Sequence, residues 1–219
     1  MEKKNMIIIG VVVVIIAIVG VIFATGALNN NSGVKTPFET DFMSGNFVGT
    51  VEKTATNESF LGSFQDKEHN ITYNLTTMDN SSALMEIYKF QGVKGPDHRT
   101  INGNDWNIYF GEAMPVINNT TNANSTKSMG IVICECQKEN QGYVIYAIFG
   151  DLNKVNFTLN TFGDSYVKFI EPLLNSIHLK QSKDVPTIYE QFGLSEKEFK
   201  QQIDLIRQAN AGNLSAVKR

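Results

Sequence analysis

This sequence predicts an α+β fold: an antiparallel sheet with helices packed on both faces, preceded by one membrane-spanning helix. Three observations carry that expectation. Residues 6–25 form an uncharged apolar run. Residues 129–136 and 143–149 are strongly apolar stretches joined by a polar link, the pattern of a β-hairpin. Amphipathic stretches then follow at 164–176 and 195–209.

The apolar run comes first. At about 1.5 Å per residue its twenty residues reach roughly 30 Å, the hydrocarbon thickness of a bilayer. Lys3 and Lys4 precede it, and residues 27–34 carry no charge. The positive-inside rule therefore sets residues 1–5 in the cytoplasm, 6–28 in the membrane and the remainder outside. A cleaved signal peptide is the rival reading, with Ala24-Thr25-Gly26 as its exit, but such segments have shorter apolar cores. A lipid anchor would need a cysteine directly after the run, and the first one is Cys134. Both surviving readings put the domain outside the cytoplasm.

Sequons point the same way. Asn-x-Ser/Thr occurs ten times, at Asn30, Asn57, Asn70, Asn74, Asn80, Asn118, Asn119, Asn124, Asn156 and Asn213, all beyond the span. About three would be expected by chance from the Asn, Ser and Thr content. Asn57, Asn70, Asn74, Asn80, Asn118, Asn119, Asn124 and Asn156 are thus candidate glycosylation sites on an exposed surface. Polar loops that co-enrich Asn, Ser and Thr are the plainer explanation.

A polar stalk over 29–37 leads into a domain over 38–180. Residues 47–51 form a possible first strand. Residues 71–77 alternate, so Ile71, Tyr73 and Leu75 face the core while Thr72, Asn74 and Thr76 face solvent. Asp79 to Ser82 reads as a turn into a second strand over 84–90, and 91–99, with Gly92, Gly95 and Pro96, as a loop. Asn102-Gly103 supplies turn chemistry before a strand with Trp106, Ile108 and Phe110 on one face. Residues 115–128 are an Asn/Thr-rich insertion expected to be exposed.

In the hairpin, residues 131–134 and 144–148 are apolar at every position. Both faces should therefore be covered, and the two strands central. One cover is the 164–176 stretch, where Val167, Ile170, Leu173, Leu174 and Ile177 line a stripe and Pro172 kinks or restarts the helix. Residues 177–179 close the domain as an edge strand. A helical appendage over 181–219 follows, with a helical turn near 187–192. The capping box Ser195-Glu-Lys-Glu198 opens its main helix, and Gly212 stops it. The stripe Phe199, Ile203 and Ile206 suits packing on the sheet better than a partner protein.

The elements Thr100-Ile-Asn-Gly-Asn-Asp-Trp106, the hairpin with Gln141-Gly-Tyr-Val144, and Glu171-Pro-Leu-Leu-Asn-Ser-Ile-His-Leu179 resemble the PsbP-like fold as found in membrane-anchored archaeal-type surface proteins. The Phe-x-x-Pro-x-x-Trp-like opening common in that family is missing near 40–66. The resemblance implies an α-β-α sandwich that binds or assembles without catalysis.

The residues themselves offer little chemistry. Cys134 and Cys136, two apart on a strand, share a face and suit buried free thiols better than a disulfide or zinc, even with His98 or His178 as further ligands. His69, His98 and His178 sit in no nucleophile–base motif, and Asp105 with Glu112 could pair as carboxylates, as could almost any two acids of a β-rich domain, so surface charge is the better reading. No catalytic residue, cofactor or metal is expected. The formal net charge is −3, and it is one unit more negative beyond the span, so nucleic acid is not an expected partner. The expected role is a binding or assembly module at the outer membrane face. The alternatives are an envelope enzyme using acidic loop residues, or a glycosylated structural surface protein. Its partners would be the membrane, through the N-terminal helix, and a protein of the envelope.

Overall fold

A computed structural model describes residues 33–56, 58–113, 129–150 and 163–212. The expected span at 6–28, the start of the stalk and the 115–128 insertion lie outside these residues. Among the described residues, no helix is long and apolar enough to cross a membrane.

The described residues form a mixed α+β structure with two antiparallel sheets. The larger has seven strands in the order β3 (Glu52–Thr54), β4 (Leu61–Asp66), β5 (Ile71–Met78), β9 (Gln141–Phe149), β8 (Met129–Lys138), β7 (Asn104–Ala113) and β6 (Lys94–Ile101). The smaller has three, β1 (Lys35–Glu39), β2 (Met43–Val48) and β10 (His178–Leu179). As expected, β8 and β9 form the hairpin and sit at the centre of the large sheet. Glu139, with φ 54°, takes the left-handed conformation in their tight turn.

The apolar residues of the hairpin divide cleanly between two cores. Val132, Cys134, Cys136, Tyr143, Ile145 and Ala147 face a cluster closed by Phe42, Phe47, Leu173, Leu174 and Ile177. Those covering residues come from the small sheet and from the helical run 163–176. Ile131, Ile133, Val144, Tyr146 and Ile148 face a second cluster beneath the helices α1 (Leu84–Phe90), α4 (Ile188–Gln191) and α5 (Glu196–Asn210). A sheet covered on both sides has no water-facing strand at its centre, which is why the alternation fails there.

The same burial corrects the facing of β5. Thr72, Asn74 and Thr76 are only 7%, 2% and 1% exposed, not solvated. At Thr76 the strand meets the C-terminal helices: Gln191 of α4 donates from Nε2 to Thr76 Oγ1 at 3.1 Å, and to the Thr77 carbonyl. Polarity at alternate positions marked a polar interior row rather than an outer face.

Residues 84–90 are helix α1, not a strand. Leu84, Ile87 and Tyr88 are its buried positions, spaced at i, i+3 and i+4. The true partners of β5 are β4 and β9. Residues 91–99 are mostly strand rather than loop. Pro96 is tolerated in β6 because β6 is the outer strand of the sheet, and the register shifts between Lys94 and Asp97. Gly95, at φ +122°, has no room for a side chain, since a Cβ would lie 2.8 Å from the Ile108 carbonyl oxygen. The turn from β6 to β7 is the expected Asn102-Gly103, with φ values of 51° and 71°. Asn102 Nδ2 donates to the Ile177 carbonyl at 2.9 Å and so ties this hairpin to the helical run.

The strand expected at 47–51 starts and ends earlier, as β2 at Met43–Val48, and the chain turns at Gly49. Residues 35–37, assigned to the stalk, belong to β1. The helical run comprises α2 (Gly163–Ser165), a π-helical turn (Tyr166–Ile170) and α3 (Glu171–Ser176). Pro172 has no N–H to continue the ladder, and Glu171 N–H reaches back five residues to the Tyr166 carbonyl. The widened turn carries Val167 out of the expected stripe, to 61% exposure. Both C-terminal helices open on capping boxes, Thr187 with Glu190 and Ser195 with Glu198. Phe199, Ile203 and Ile206 are buried in the second core, so these helices form an integral layer rather than an appendage.

Candidate functional sites

Among the described residues, two buried polar groups are built around a carboxylate. The first centres on Glu135, which projects from β8 into the second core at 3% exposure. Ser81, buried just before α1, donates its hydroxyl to Glu135 Oε1 at 2.5 Å. Tyr109 OH and Asn107 Nδ2 donate to Oε2 at 3.3 and 3.4 Å. Among the described residues no ion pair reaches this carboxylate. Hydrogen bonds from neutral donors carry its solvation instead. Alongside, the Tyr88 and Tyr146 hydroxyls are 2.9 Å apart. Burial pushes both phenols up, Tyr146 to about 12, and the Glu135 charge adds to the effect. Burial and Glu135 likewise raise Tyr109. Ser81, Tyr109 and Asn107 converge on one acid, and the Ser81 hydroxyl also lies 3.0 Å from Gln137 Oε1, so the group is a structural clamp between the sheet and the segment before α1.

The second group is Asp66 and His69, at the β4–β5 turn. His69 Nδ1 lies 2.8 Å from Asp66 Oδ2, and the His69 backbone N–H donates to Oδ1 at 2.9 Å. Asp66 is fully buried, and the imidazole stands 4.7 Å from the Phe169 ring. Gly49, at φ +92°, passes so close that a Cβ would sit 3.0 Å from Asp66 Oδ2. A buried carboxylate fixing an imidazole is half of a general-base arrangement. Among the described residues no hydroxyl or thiol is hydrogen-bonded to that ring.

The residues singled out from sequence do not converge. Cys134 and Cys136 are free, buried and on one face of β8. Burial raises both thiols, Cys136 to about 11 with help from the Asp105 and Glu135 charges. His98 and His178 are exposed on different sheets. No group of three or more His, Cys, Asp or Glu among the described residues is placed to hold a metal. Asp105 is exposed and accepts from Thr100 Oγ1 at 2.6 Å. Glu112 is seven positions along the same strand, roughly 23 Å away and at a register position on the other face. These two acids do not form a pair.

Of the candidate glycosylation sites, Asn80 is exposed and Asn70 half-buried, while Asn74 lies inside the sheet at 2% exposure. Asn57, Asn118, Asn119, Asn124 and Asn156 lie outside the described residues. Sequence reasoning missed Glu135 and Asp66. For Glu135 there was a signal: a lone charge inside a strand apolar on both faces must have buried partners.

No family model and no curated protein matches the chain. A solved structure from Bacteroides thetaiotaomicron VPI-5482 superposes on 70% of it with a TM-score of 0.46 and 8% identity. The chain spans about half of that protein, 51% of its length.

Proposed function

We propose that this chain is a single-pass membrane protein whose α+β domain, of PsbP-like type, serves as a non-catalytic binding or assembly module at the outer face. The observation that carries this is the uncharged run 6–25 behind Lys3 and Lys4. The brevity of the tether supports it: β1 begins at Lys35, so only residues 29–34 separate the span from the domain. Six extended residues reach at most about 20 Å, which holds the domain against the bilayer. The Glu135 group favours binding over catalysis, because its hydrogen bonds are spent on the fold. Surface glycans at Asn80 and Asn70 are compatible with the same location.

The binding role is tested by purifying the full-length protein from its native membrane in mild detergent. A partner recovered at fixed stoichiometry, and lost when surface residues alone are changed, is the expected result. Recovery of the protein alone, with its fold intact and after cross-linking in the membrane, would overturn it.

A further inference from the structure

The end of the domain nearest the tether carries an unusual surface. Among the described residues the exposed large apolar side chains are Val34, Met85 and Val167, at 42%, 44% and 61% exposure. Val34 and Val167 belong to one end of the molecule. The Val34 carbonyl accepts from Gly49 N–H at 2.7 Å. A Cβ on Gly49 would lie 3.5 Å from His69 Nδ1, and the His69 ring packs on Phe169, two residues after Val167. Lys168 folds its ammonium over the same Phe169 ring at 4.9 Å, and Lys35 adjoins Val34. Met85, on α1, belongs to the opposite end: Ser81, just before α1, packs on Gly142 at the start of β9, whereas Asn70 packs on Gly150 beyond its finish. Nine residues of strand, about 30 Å, separate those two ends.

We propose that the end bearing Val34 and Val167 rests on the lipid surface, which fixes the orientation of the anchored domain and presents the Ser81–Met85 end outward. This rests on the membrane-anchored reading above. Only residues 29–33 separate Val34 from the proposed span in sequence, so the bilayer is the surface this end meets first. Two valines rimmed by Lys35 and Lys168 would hold a free protein to lipid only weakly. The tether makes the contact intramolecular, and a weak contact then suffices. Val167 is displaced from the core by the π turn, and an interfacial role accounts for an apolar residue at that exposed position.

The test uses the full-length chain in phosphatidylcholine–phosphatidylglycerol vesicles, with an apolar fluorophore on Val167→Cys or on Met85→Cys. Cys134 and Cys136 are buried, so the added thiol takes the label. Headgroup-level nitroxide lipids should quench the probe at 167 and shift its emission to the blue, and leave the probe at 85 unchanged. Adding Val34→Glu should restore the emission at 167. Equal, water-like emission at both positions would overturn the proposal, as would a blue shift at 167 without lipid quenching, which would mean a protein cover. Failure of anchoring itself reads differently: the protein would then not float with the vesicles.

Discussion

Ser81 and Glu135, 54 residues apart in sequence, meet at 2.5 Å inside the second core and join the segment before α1 to the centre of the large sheet. Glu135→Ala would leave the Tyr109 and Asn107 donors without their acceptor in a buried site, and Ser81 with Gln137 Oε1 alone. A loss of about 2–5 kcal/mol is expected in chemical denaturation. Glu135→Gln keeps one acceptor oxygen and should cost less. Equal stability of Glu135→Ala and wild type would show that the cluster is not a clamp.

Alkali should unfold the domain in a defined window. Burial raises Tyr146 from 10.0 to about 12 and Cys136 from 9.0 to about 11, and it raises Tyr73, Tyr88 and Tyr109 as well. Between the ordinary and the raised values the unfolded chain holds fewer protons than the folded one. The stability these groups contribute is therefore complete below about pH 9 and is lost as pH rises through about 11–12. Phenolate absorbance should appear together with loss of structure; buried tyrosines that ionise in a folded domain would contradict this.

Gly49→Ala places a methyl group 3.0 Å from Asp66 Oδ2 at a backbone φ of +92°. A destabilisation of about 1–3 kcal/mol is expected. Gly212→Ala also has a positive φ, 76°, but meets no neighbour among the described residues, and so serves as the control. A thermal melt comparing the two variants separates the close approach from the backbone conformation.

Much of this fold is legible in the sequence. The hairpin was readable because both its faces are apolar, the capping boxes because they are local chemistry, and Asn102-Gly103 because few residues tolerate its turn. The errors share a cause. Leu84, Ile87 and Tyr88 suit a helix, but within seven residues the apolar positions also suit a strand. Thr72, Asn74 and Thr76 look solvated but are buried, and at Thr76 the cover is Gln191, a residue 115 positions away. The Glu135 group gathers partners 26 to 54 positions away, and only the lone charge in β8 hinted at it. Asp66 and His69 are three residues apart, but their burial beside Gly49 and Phe169 is set by distant chain.

The C-terminal helices are integral to the second core. Ile203→Asp would bury a charge among Ile188, Phe199 and Tyr146, and should unfold the domain as a whole in one cooperative transition. A variant that lost only the α5 signal by hydrogen exchange, with the sheet still protected, would restore the appendage.

The most direct measurement of the central claim is thiol labelling of Met85→Cys in intact cells with a membrane-impermeant maleimide. Residue 85 is exposed, and the native cysteines are buried. Labelling equal in intact and permeabilised cells, on a protein that resists alkaline extraction from the membrane, is the predicted result. Labelling only after permeabilisation, or release of the protein by alkali, would contradict an anchored domain at the outer face.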